Sequence, residues 1–506
     1  MKDRRFDVVI IGAGLAGLEC GYILASEGKK VCVLEKNAQL GGSLQVFSRH
    51  KTLFDTGVHY LGGLAPGQNL HRYFTYFDIM RHLKVRRMDL DGFDRITFDG
   101  DANEYPIAQG KENFIQRLLP FFPKEEKALR LFLAEMQRMC DKFPLYYLRY
   151  EERDELRDPE LRMNARDHIA TMTKDPVLRN VLGAGLVLHG GKAERTPFHI
   201  HAQVLNSYID SAYRCVDGGS QIAKHLARNA RQHGAEILAR KEVDRLVLDK
   251  GRVVSVRTTD GDEFRADTVI CNAHPATMMD WIESGDMRPA TRRRLKGLEN
   301  TVSTFTLHLV LEMGRFPYFD HNHYHFATTD VWDAVAPDPG GPLRHFMLFT
   351  PLTSRSPSHA EGISVMTFTD YKEVEPWEDS YNTVTRQGAR ATGYLEWKER
   401  KEEQVLRAVI ARFPALKDLI RSVHSSTPLT MRDYLSAPRG TTYGLHRDHE
   451  DPMSVYVAPR TKVPNLLLTG QNVNVHGILG VTVSAVLTCA ELLGKEYLVR
   501  KIQAAS

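Results

Sequence analysis

A glycine-rich loop that joins a short strand to a helix constrains this chain more than any other feature of its sequence. Residues 6–11 form a β-branched apolar run, as a buried parallel strand requires. Gly12, Gly14 and Gly17 follow in the pattern Gly-x-Gly-x-x-Gly, and residues 18–27 have helical spacing. Gly12 permits a tight turn, Gly14 lets a pyrophosphate approach the backbone, and Gly17 lets helix and strand pack closely. The phosphates would lie on the free N–H groups of the helix N-terminus, so the loop predicts a dinucleotide site.

The residues after this loop complete the dinucleotide-binding unit and indicate which dinucleotide it binds. Gly28 ends the predicted helix, and a second strand leads into Glu35, where a carboxylate can hydrogen-bond the ribose hydroxyls. The pair Gly41-Gly42 follows closely, and then the stretch 54–60. This order resembles the extended N-terminal signature of flavoproteins, so FAD is preferred over NAD.

A second glycine cluster, at residues 181–185, looks like another dinucleotide loop, which would suit NADPH. Asp175-Pro176 is, however, typical of a helix start, and the apolar residues from 177 to 186 recur at helical spacing. Neither a third glycine nor a ribose-binding acid falls in place. We therefore expect a closely packed helix here and no dedicated nicotinamide domain, which leaves NAD(P)H as a candidate transient electron donor.

Composition and charge exclude several classes of protein. The 506 residues suggest two to four domains at about 150 residues each. With 42% hydrophobic and 26% charged residues the chain is not disordered overall. The 67 basic residues nearly balance 63 acidic ones, without a run of five like charges, so a nucleic-acid partner is not expected. The six cysteines lie far apart, which favours a reducing compartment and a cytoplasmic location.

Three segments resemble membrane signals. Residues 1–18 look like a signal peptide, even a twin-arginine one, but this run carries the glycine pattern. Residues 463–490 lack acidic and basic side chains, yet polar residues and glycines interrupt them, so we expect a strand, a loop and a buried helix. The basic, aromatic-rich stretch 110–150 is interpreted first as core and substrate-domain helices. Its alternative role is peripheral membrane contact.

The middle and the end of the chain carry further strand and helix signals. Residues 216–220 open a helix that runs to about residue 233. Alternating strands with turns at 249–251 and 260–261 fill the stretch up to residue 270. Residues 465–471 form a strand that enters a loop, and residues 478–481 open the last long helix.

This order of elements resembles the superfamily of phytoene desaturases, carotenoid isomerases and retinol saturases, which are FAD enzymes acting on polyenes. Residues 54–62, 197–208 and 467–471 resemble the retinol saturase (all-trans-retinol 13,14-reductase) branch more than the desaturases, and residues 440–444 also fit that branch. The N-terminal secretory or anchor segment expected of vertebrate members is not seen. We therefore expect a bacterial-type homologue and leave its substrate open.

The resemblance implies an α/β fold with a Rossmann-type FAD-binding domain assembled from discontinuous segments. An α+β substrate-binding domain and a helical insertion complete it. The three parts of the FAD domain would span residues 1–70, 211–285 and 426–506. The helical, substrate-binding insertion would span 71–210, and the substrate-binding domain 286–425. These two insertions would enclose the substrate.

Matching motifs imply which residues hold the adenine-nucleotide half of FAD. Val243 would contact the adenine edge through its backbone. The contacts to pyrophosphate and ribose would come from Gly12, Gly14, Leu15, Ala16, Gly17, Glu35, Lys36, Gly42 and Ser43.

The same matching places the flavin half at the end of the chain. Gly470 with Gln471 would meet the pyrophosphate and the ribityl chain. The backbone at the N-terminus of the last helix would face the isoalloxazine and stabilise negative charge on the reduced flavin. The residues concerned are Leu479, Gly480 and Val481. We expect FAD to be bound non-covalently, because neither residues 54–60 nor the surroundings of Gly470 contain a cysteine.

Candidate catalytic residues follow from the chemistry of reducing a conjugated C=C bond. Such a reduction needs a hydride at one carbon and a proton at its neighbour. The flavin supplies the hydride, and the protein positions the polyene and offers a proton donor. His59, His201 and Tyr443 belong to stretches expected to approach the flavin. For each of them the alternative role is a structural hydrogen bond.

The 21 histidines raise the question of a metal site. His321, His323 and His325 lie on one face of a predicted strand, and His199 and His201 form another alternating pair. Metal binding needs three or four converging ligands, and neither string includes partner carboxylates or cysteines, so no metal is expected. A Ser-His-Asp hydrolase is disfavoured because no Gly-x-Ser-x-Gly elbow follows a strand.

The sequence thus predicts an FAD-dependent oxidoreductase that saturates a C=C bond of a lipophilic conjugated polyene or isoprenoid. The first alternative is a carotenoid-type desaturase or isomerase, which shares the flavin and reverses or avoids net reduction. A lipid-binding protein with a vestigial flavin site belongs to a different class. A soluble amine or amino-acid oxidase is the least favoured interpretation.

Overall fold

The structure is a computed structural model that describes residues 4–152, 158–328 and 330–505. Its strands are β1 (Arg4–Ile11), β2 (Val31–Leu34), β3 (Val46–Arg49), β4 (Thr52–Asp55), β5 (Leu61–Gly62), β6 (Val85–Arg87), β7 (Asp94–Phe98), β8 (Tyr105–Ile107), β9 (Ala212–Cys215), β10 (Glu236–Leu238), β11 (Val243–Asp249), β12 (Arg252–Thr258), β13 (Glu263–Cys271), β14 (Ser303–Leu311), β15 (Asn322–Phe326), β16 (His345–Phe349), β17 (Gly362–Thr369), β18 (Ile420–Ser426) and β19 (Leu466–Leu468).

The helices connect these strands and cover both sheets that the longer strands build. They are α1 (Leu15–Ser26), α2 (Asn69–Tyr76), α3 (Lys111–Leu118), α4 (Glu126–Asp141), α5 (Ala165–Met172), α6 (Pro176–Gly183), α7 (Phe198–Asp210), α8 (Ser220–Gln232), α9 (Pro275–Asp280), α10 (Pro289–Lys296), α11 (Thr392–Arg412), α12 (Pro428–Leu435), α13 (Gly477–Leu493) and α14 (Lys495–Ala505).

The first sheet has the strand order β10-β2-β1-β13-β12-β11, and β19 pairs with β13. Strands β10, β2, β1, β13 and β19 are parallel, whereas β11, β12 and β13 form an antiparallel meander. The two hairpin turns predicted at residues 249–251 and 260–261 connect this meander. The expected Rossmann-type sheet, assembled from separated chain segments, is therefore confirmed.

Both faces of the first sheet are buried, which explains why β1 and β2 are continuous apolar runs. On one face Val8 and Ile10 pack with side chains of α1, α8 and α13. On the other face Val9 and Ile11 pack with the meander and α9. The strands are thus held in a three-layer arrangement in which the strand ends remain free to build a site.

A buried hydrogen bond joins the first helix of the fold to the last long one. Thr482 Oγ1 on α13 donates to Glu19 Oε1 on α1 at 2.8 Å, and neither residue has measurable exposure. Burial raises the pKa of Glu19 well above its ordinary value, which favours the uncharged carboxyl. This contact places the N-terminus of α13 beside the loop that precedes α1, although about 460 residues separate them.

The second sheet has the order β18-β14-β17-β16-β15-β7-β8, in which β15 and β7 are the parallel pair. One face packs with α3 to α7, and the other packs with α11. It takes strands from both predicted insertions. The five-part division of the chain stays a prediction, and β18 crosses the boundary placed after residue 425.

Two local predictions about residues 175–210 have different outcomes. Residues 181–185 belong to a helix and the 3-10 turn after it, as predicted. A Cβ at Gly185 would collide with Leu205, so the close packing here requires this glycine.

The interpretation of His199 and His201 as an alternating pair is wrong, because both lie on α7. Residues two apart on a helix point about 200° apart, so they do not share a face.

The segments that resembled membrane signals fold into the body of the protein. Residues 1–3 of the signal-like start lie outside the described residues, and the rest of it forms β1 and α1. Residues 463–490 form a strand, a loop and most of α13, as expected. Among the described residues, every helix is too short or too polar to cross a bilayer. In the stretch 110–150 four of the eight aromatic side chains are buried, whereas Phe121 and Leu131 are 36% and 42% exposed.

Asn465, immediately before β19, provides a test of how the first sheet is held together. Its Oδ1 accepts from Val253 N at 2.9 Å, and its Nδ2 donates to Val253 O at 2.8 Å and Asp267 O at 3.0 Å. We expect Asn465→Ala to lower the free energy of unfolding by about 2–4 kcal/mol, because buried backbone groups lose their partners. Denaturant unfolding of both proteins measures this change in the free energy of unfolding. Asn103→Ala, at an exposed site, is the control, and equal losses in both variants would contradict the assignment.

Candidate active site

Four parallel strands of the first sheet end at the same level and bring their following residues together. Ile11 pairs with Leu34 and Cys271, and Cys271 pairs with Leu468. The residues after these strand ends therefore meet at one edge: Gly12, Glu35, Asn272 and Thr469. In open α/β sheets a ligand binds in the crevice outside the carboxyl ends of the strands, so this edge is the candidate nucleotide site.

The glycine loop at this edge has no room for side chains. A Cβ at Gly17 would overlap the carbonyl oxygen of Gly12, and one at Gly14 would lie 3.0 Å from Asn272 Nδ2. Gly12 itself has a positive φ of 96°, which L residues rarely adopt. The loop is consequently a bare backbone surface, as a pyrophosphate requires.

Glu35 closes the loop from the end of β2. Its Oε2 accepts from Ala13 N at 2.9 Å and its Oε1 from Asn37 N at 2.9 Å. Burial raises the pKa of Glu35, and these two N–H donors oppose that shift. Each carboxylate oxygen keeps a lone pair, so the predicted contact to ribose hydroxyls remains available.

The other residues predicted for the adenine side lie around Glu35. Val243 begins β11, and the neighbouring Lys241 N donates to Glu35 O at 2.7 Å. The side chain of Lys36 points to α12 instead, where its Nζ donates to Asp433 O at 2.8 Å and Ser436 Oγ at 2.7 Å. Lys36 can therefore contribute its backbone to the crevice while its side chain anchors a distant segment.

The second glycine pair lies directly on the first loop. Gly41 N donates to Ala13 O at 2.8 Å, and a Cβ at Gly42 would lie 3.4 Å from the Cα of Gly14. Ser43 follows at the surface. The structure thus brings the two glycine-rich segments into contact, as the flavoprotein-like spacing predicts.

Asn272 is a residue at this edge that the sequence analysis did not single out. Its Nδ2 faces the Gly12–Gly17 loop, and its Oδ1 would lie 2.5 Å from a Cβ at Gly470. Gln471 packs on Gly444, so the predicted segment 440–444 also reaches this region. The strand-end position of Asn272, directly after an apolar run, was the signal that could have found it.

Two helices present uncapped N-termini at this edge. Helix α1 starts after Gly14, and α13 starts after His476. Among the described residues, no side chain caps either N-terminus. The free N–H groups and the helix dipole favour negative charge at both positions. A pyrophosphate at α1 and an anionic flavin ring at α13 would satisfy them.

A pocket lies beside the N-terminus of α13. It has about 820 Å³ of free space including its open mouth, within the usual size of a ligand pocket. Leu479 and Gly480, two of the three residues predicted to face the isoalloxazine, line it, and Val481 packs on the adjacent core. Most of the wall is apolar and comes from β5, α2, α7 and the turn 144–147. Its polar side chains include Gln203, Tyr208 and His476.

Two of the three candidate catalytic residues lie near this pocket but outside its lining. Tyr443 packs on His476 with ring centroids 4.9 Å apart, and its hydroxyl donates to Val187 O at 2.8 Å. His59 stacks on Phe349 at 4.1 Å. Burial and the Arg214 guanidinium lower the pKa of His59 to about 3, so it is uncharged at neutral pH.

His201 lies deeper, on the far side of the pocket wall. Its Nε2 bonds Leu182 O at 2.9 Å, and its Nδ1 lies 3.1 Å from His189 Nε2. It is fully buried, and burial lowers its pKa to about 4. These contacts fit the structural role that the sequence left open, and its catalytic role stays a prediction.

A buried group of tyrosines around Asp94 was missed by the sequence analysis. Tyr60 OH donates to Asp94 Oδ2 at 3.0 Å and lies 2.7 Å from Tyr324 OH. Tyr208, which lines the pocket, packs on Tyr60 at 4.4 Å between ring centroids. Asn322 Nδ2 donates to Asp94 Oδ1 at 2.7 Å. These residues are far apart in sequence, so only the position of Tyr60 next to His59 could have hinted at the group.

Burial sets the ionisation of this group. It raises the pKa of Asp94 to about 7, although the bonds from Asn322 and Tyr60 oppose the shift. It also raises the pKa values of Tyr60 and Tyr208, and Asp94 adds to both shifts. The group therefore holds protons at neutral pH next to the pocket.

The residues at the strand ends fit FAD in three respects. The loop surface is bare, the acid at the end of β2 is in place, and two uncapped helices point into one crevice. Fold and site together define a flavin-dependent oxidoreductase. The chain belongs to the family described as flavin containing amine oxidoreductase, whose model matches residues 15–493.

Individual relatives and solved structures agree with this class. The all-trans-retinol 13,14-reductase of Rattus norvegicus is 28% identical, over 99% of this chain and 88% of that protein. The chloroplastic prolycopene isomerase 2 of an Oncidium hybrid cultivar is 27% identical, over 88% of this chain and 76% of its own length. A structure of putrescine oxidase bound to putrescine has a TM-score of 0.64 at 13% identity and covers 99% of both chains, which supports the fold.

The glycine loop leads to a prediction about FAD binding. Gly14→Val should abolish binding, because a branched side chain would fill the surface that the pyrophosphate needs. Glu35→Ala should weaken it by about 1–3 kcal/mol, the scale of a lost charged hydrogen bond. Flavin absorbance of the purified variants measures occupancy, with Gly285→Ala as control because nothing lies near that site. Full occupancy in both loop variants would refute the assignment.

The raised pKa of Asp94 predicts a particular pH dependence of stability. Its pKa is raised from 3.8 in the unfolded chain to about 7 in the folded protein, so the folded state retains a proton that the unfolded state releases. Wild-type stability should therefore fall, relative to Asp94→Asn, as pH rises from 3.8 to about 7, and the difference should level off above that. Melting curves of both proteins across this range measure the difference. Parallel curves would show that Asp94 titrates normally.

Proposed function

We propose that this protein is an FAD-dependent oxidoreductase that saturates a C=C bond of a lipophilic conjugated polyene, of retinoid or carotenoid type. The observation that carries the proposal is the mostly apolar pocket that ends at the uncapped N-terminus of α13. The retinol reductase and prolycopene isomerase relatives, which cover most of the chain, support a polyene substrate. When bound, FAD supplies the hydride for such a reduction.

The chain's own residues would bind and orient the polyene. Leu61, Phe143 and Leu188 are among the apolar walls that would bury it and exclude water. Gln203 Nε2 is a buried donor in this wall with no hydrogen-bond partner among the described residues. Leaving such a donor unpaired is costly, so we assign Gln203 to a polar end group of the substrate.

The proton for the neighbouring carbon would come from the tyrosine group. Tyr208 contacts the pocket, and Tyr60 and Asp94 lie behind it. Burial keeps the tyrosines protonated at neutral pH and raises the pKa of Asp94 to about 7, where it exchanges its proton readily, so Tyr208 is our candidate donor and Asp94 its reservoir. His59, His201 and Tyr443 remain candidates, each with a pKa that disfavours the charged form.

The direction of electron flow is part of the proposal. A carotenoid-type desaturase or isomerase would use the same pocket and flavin position, and the prolycopene isomerase relatives support that alternative. The uncapped N-terminus of α13 would stabilise an anionic, reduced ring in either direction, so the preference for reduction rests on the likeness to the retinol reductases. The electron donor, the flavin linkage and the membrane contact are further parts of the proposal. NAD(P)H stays a candidate electron donor, and FAD is expected to be bound non-covalently. The exposed apolar side chains of Phe121 and Leu131 support peripheral membrane contact.

A single-turnover experiment tests the proposal. Holoenzyme reduced chemically under anaerobic conditions should be reoxidised faster by retinol or a carotenoid in micelles than by micelles alone. Mass spectrometry should find a product that has gained two hydrogens. If oxidised enzyme instead bleaches with a partly saturated polyene, and the product gains a double bond, the direction is wrong. If neither reaction occurs with intact FAD, the isomerase alternative applies, whereas a purified protein without FAD would favour the lipid-binding alternative.

The same assay tests the proton donor. Tyr208→Phe should slow reoxidation by the polyene by roughly 100-fold or more, the usual contribution of a general acid. Tyr213→Phe is the matched control, since the Tyr213 ring on β9 lies beside Arg87 of β6 and does not line the pocket. An unchanged rate in Tyr208→Phe with wild-type flavin content would exclude Tyr208 as the donor.

A further inference from the structure

A cluster of possible metal ligands lies on the second sheet, on the opposite face from the tyrosine group. Tyr324 points from β15 toward Tyr60, so the alternation of a strand sends its neighbours His323 and His325 to the other face. His321 precedes the strand and lies on that same side, 4.7 Å from His323 between ring centroids. The predicted histidine face thus exists, and none of its three histidines lines the pocket.

The structure adds a carboxylate that the sequence could not place. Glu104, just before β8, offers an oxygen that lies with one nitrogen each of His321 and His323 inside a 4.8 Å group. The two Nε2 atoms are 3.1 Å apart, so one imidazole donates a hydrogen bond to the other. Two nitrogens that share a tetrahedral zinc ion are about 3.3 Å apart, so a zinc ion would replace this hydrogen bond with little movement of the rings.

Unpaired polar atoms indicate that the cluster lacks a component. His323 is 6% exposed, and its Nδ1 has no hydrogen-bond partner among the described residues. Glu104 Oε1, 3.5 Å from that nitrogen, is also buried without a hydrogen-bond partner among the described residues, and its ion-pair contact with Arg95 is long, at 3.6 Å.

A second carboxylate orients His321 for this role. Asp320 Oδ1 lies 3.3 Å from His321 Nδ1, so this nitrogen carries the proton and Nε2 keeps its lone pair. A carboxylate behind a ligating histidine is the usual outer partner at zinc sites. Asp89 also lies within reach of His321 and Asp320.

Two arginines act against a cation here. Arg95 lies 3.1 Å from Asp89 and 3.6 Å from Glu104, and Arg412 lies 3.7 Å from Glu104. The three carboxylates outnumber the two guanidinium groups, so the surroundings keep a net negative charge. We expect the two arginines to weaken binding of the cation without preventing it.

We propose that Glu104, His321 and His323 bind one divalent transition-metal ion, zinc foremost, with a fourth position open to water. Such a site would fix the loop before β8 to β15 on the outer face of the second sheet. Its donor set of two imidazoles and one carboxylate suits zinc, whereas calcium and magnesium prefer oxygen ligands alone. The proposal is independent of the reaction assigned to the pocket.

Zinc titration of the FAD-loaded, chelator-treated protein tests this inference. Wild type should bind one zinc ion per chain by calorimetry, and zinc should raise its melting temperature. Glu104→Gln and His323→Ala should each weaken binding at least tenfold, because even the loss of an outer partner of a ligand costs that much. His325→Ala is the matched control, because its ring nitrogens bond Thr97 and Asp99 instead.

Several results would overturn the assignment. They are no zinc binding by wild type, wild-type affinity in both ligand variants, or an equal loss in His325→Ala. Flavin content and the melting temperature without zinc identify a variant that has merely misfolded. If one ligand variant misfolds, the other decides. Replacement of zinc by cobalt adds a direct readout, since a four-coordinate site gives visible absorption that the ligand variants should lack.

Discussion

The close approach of Gly17 to the carbonyl oxygen of Gly12 is the constraint on which the rest of the site depends. Because no Cβ fits between them, α1 starts directly at the end of β1 with its N–H groups bare. Glu35 then fixes the loop by accepting from Ala13 N. Any larger residue at position 17 would push the helix away and remove both the anion-binding N-terminus and the acid's partner.

The flavin end of the site depends on contacts between distant parts of the chain. Thr482 bonds Glu19 and places α13 next to α1, so two uncapped helix N-termini share one crevice. The second sheet is tied to this arrangement through Arg214 on β9, a buried guanidinium that donates to Phe319 O at 2.7 Å and Asn322 Oδ1 at 2.6 Å. Asn322 in turn bonds Asp94, so the same network supports the tyrosine group beside the pocket.

Sequence reasoning reached the first sheet and the glycine loop because their signals are local. The glycine spacing with its following strand and acid fills about 25 residues, and each turn of the meander is a two- or three-residue signal. The same logic distinguished the helix at residues 181–185 from a second nucleotide loop, since its apolar period is visible without any tertiary contact.

The residues that were missed depend on contacts across the fold. Asn272 becomes important only when β13 pairs with β1 and β19. Tyr208, Asp94 and Tyr324 come from three separate elements, and Glu104 reaches His323 through strand pairing. The pair His199 and His201 was misread because a histidine alternation fits a strand and a helix equally well.

The central claim is that one pocket at the N-terminus of α13 brings polyene and flavin together. Val204→Trp tests it most directly, because Val204 lines the pocket but lies away from the glycine loop, and Val254→Trp at an exposed site is the control. The account predicts wild-type FAD content, unchanged reoxidation by oxygen and loss of reoxidation by the polyene in Val204→Trp alone. Polyene-dependent reoxidation at the wild-type rate in that variant would contradict the account.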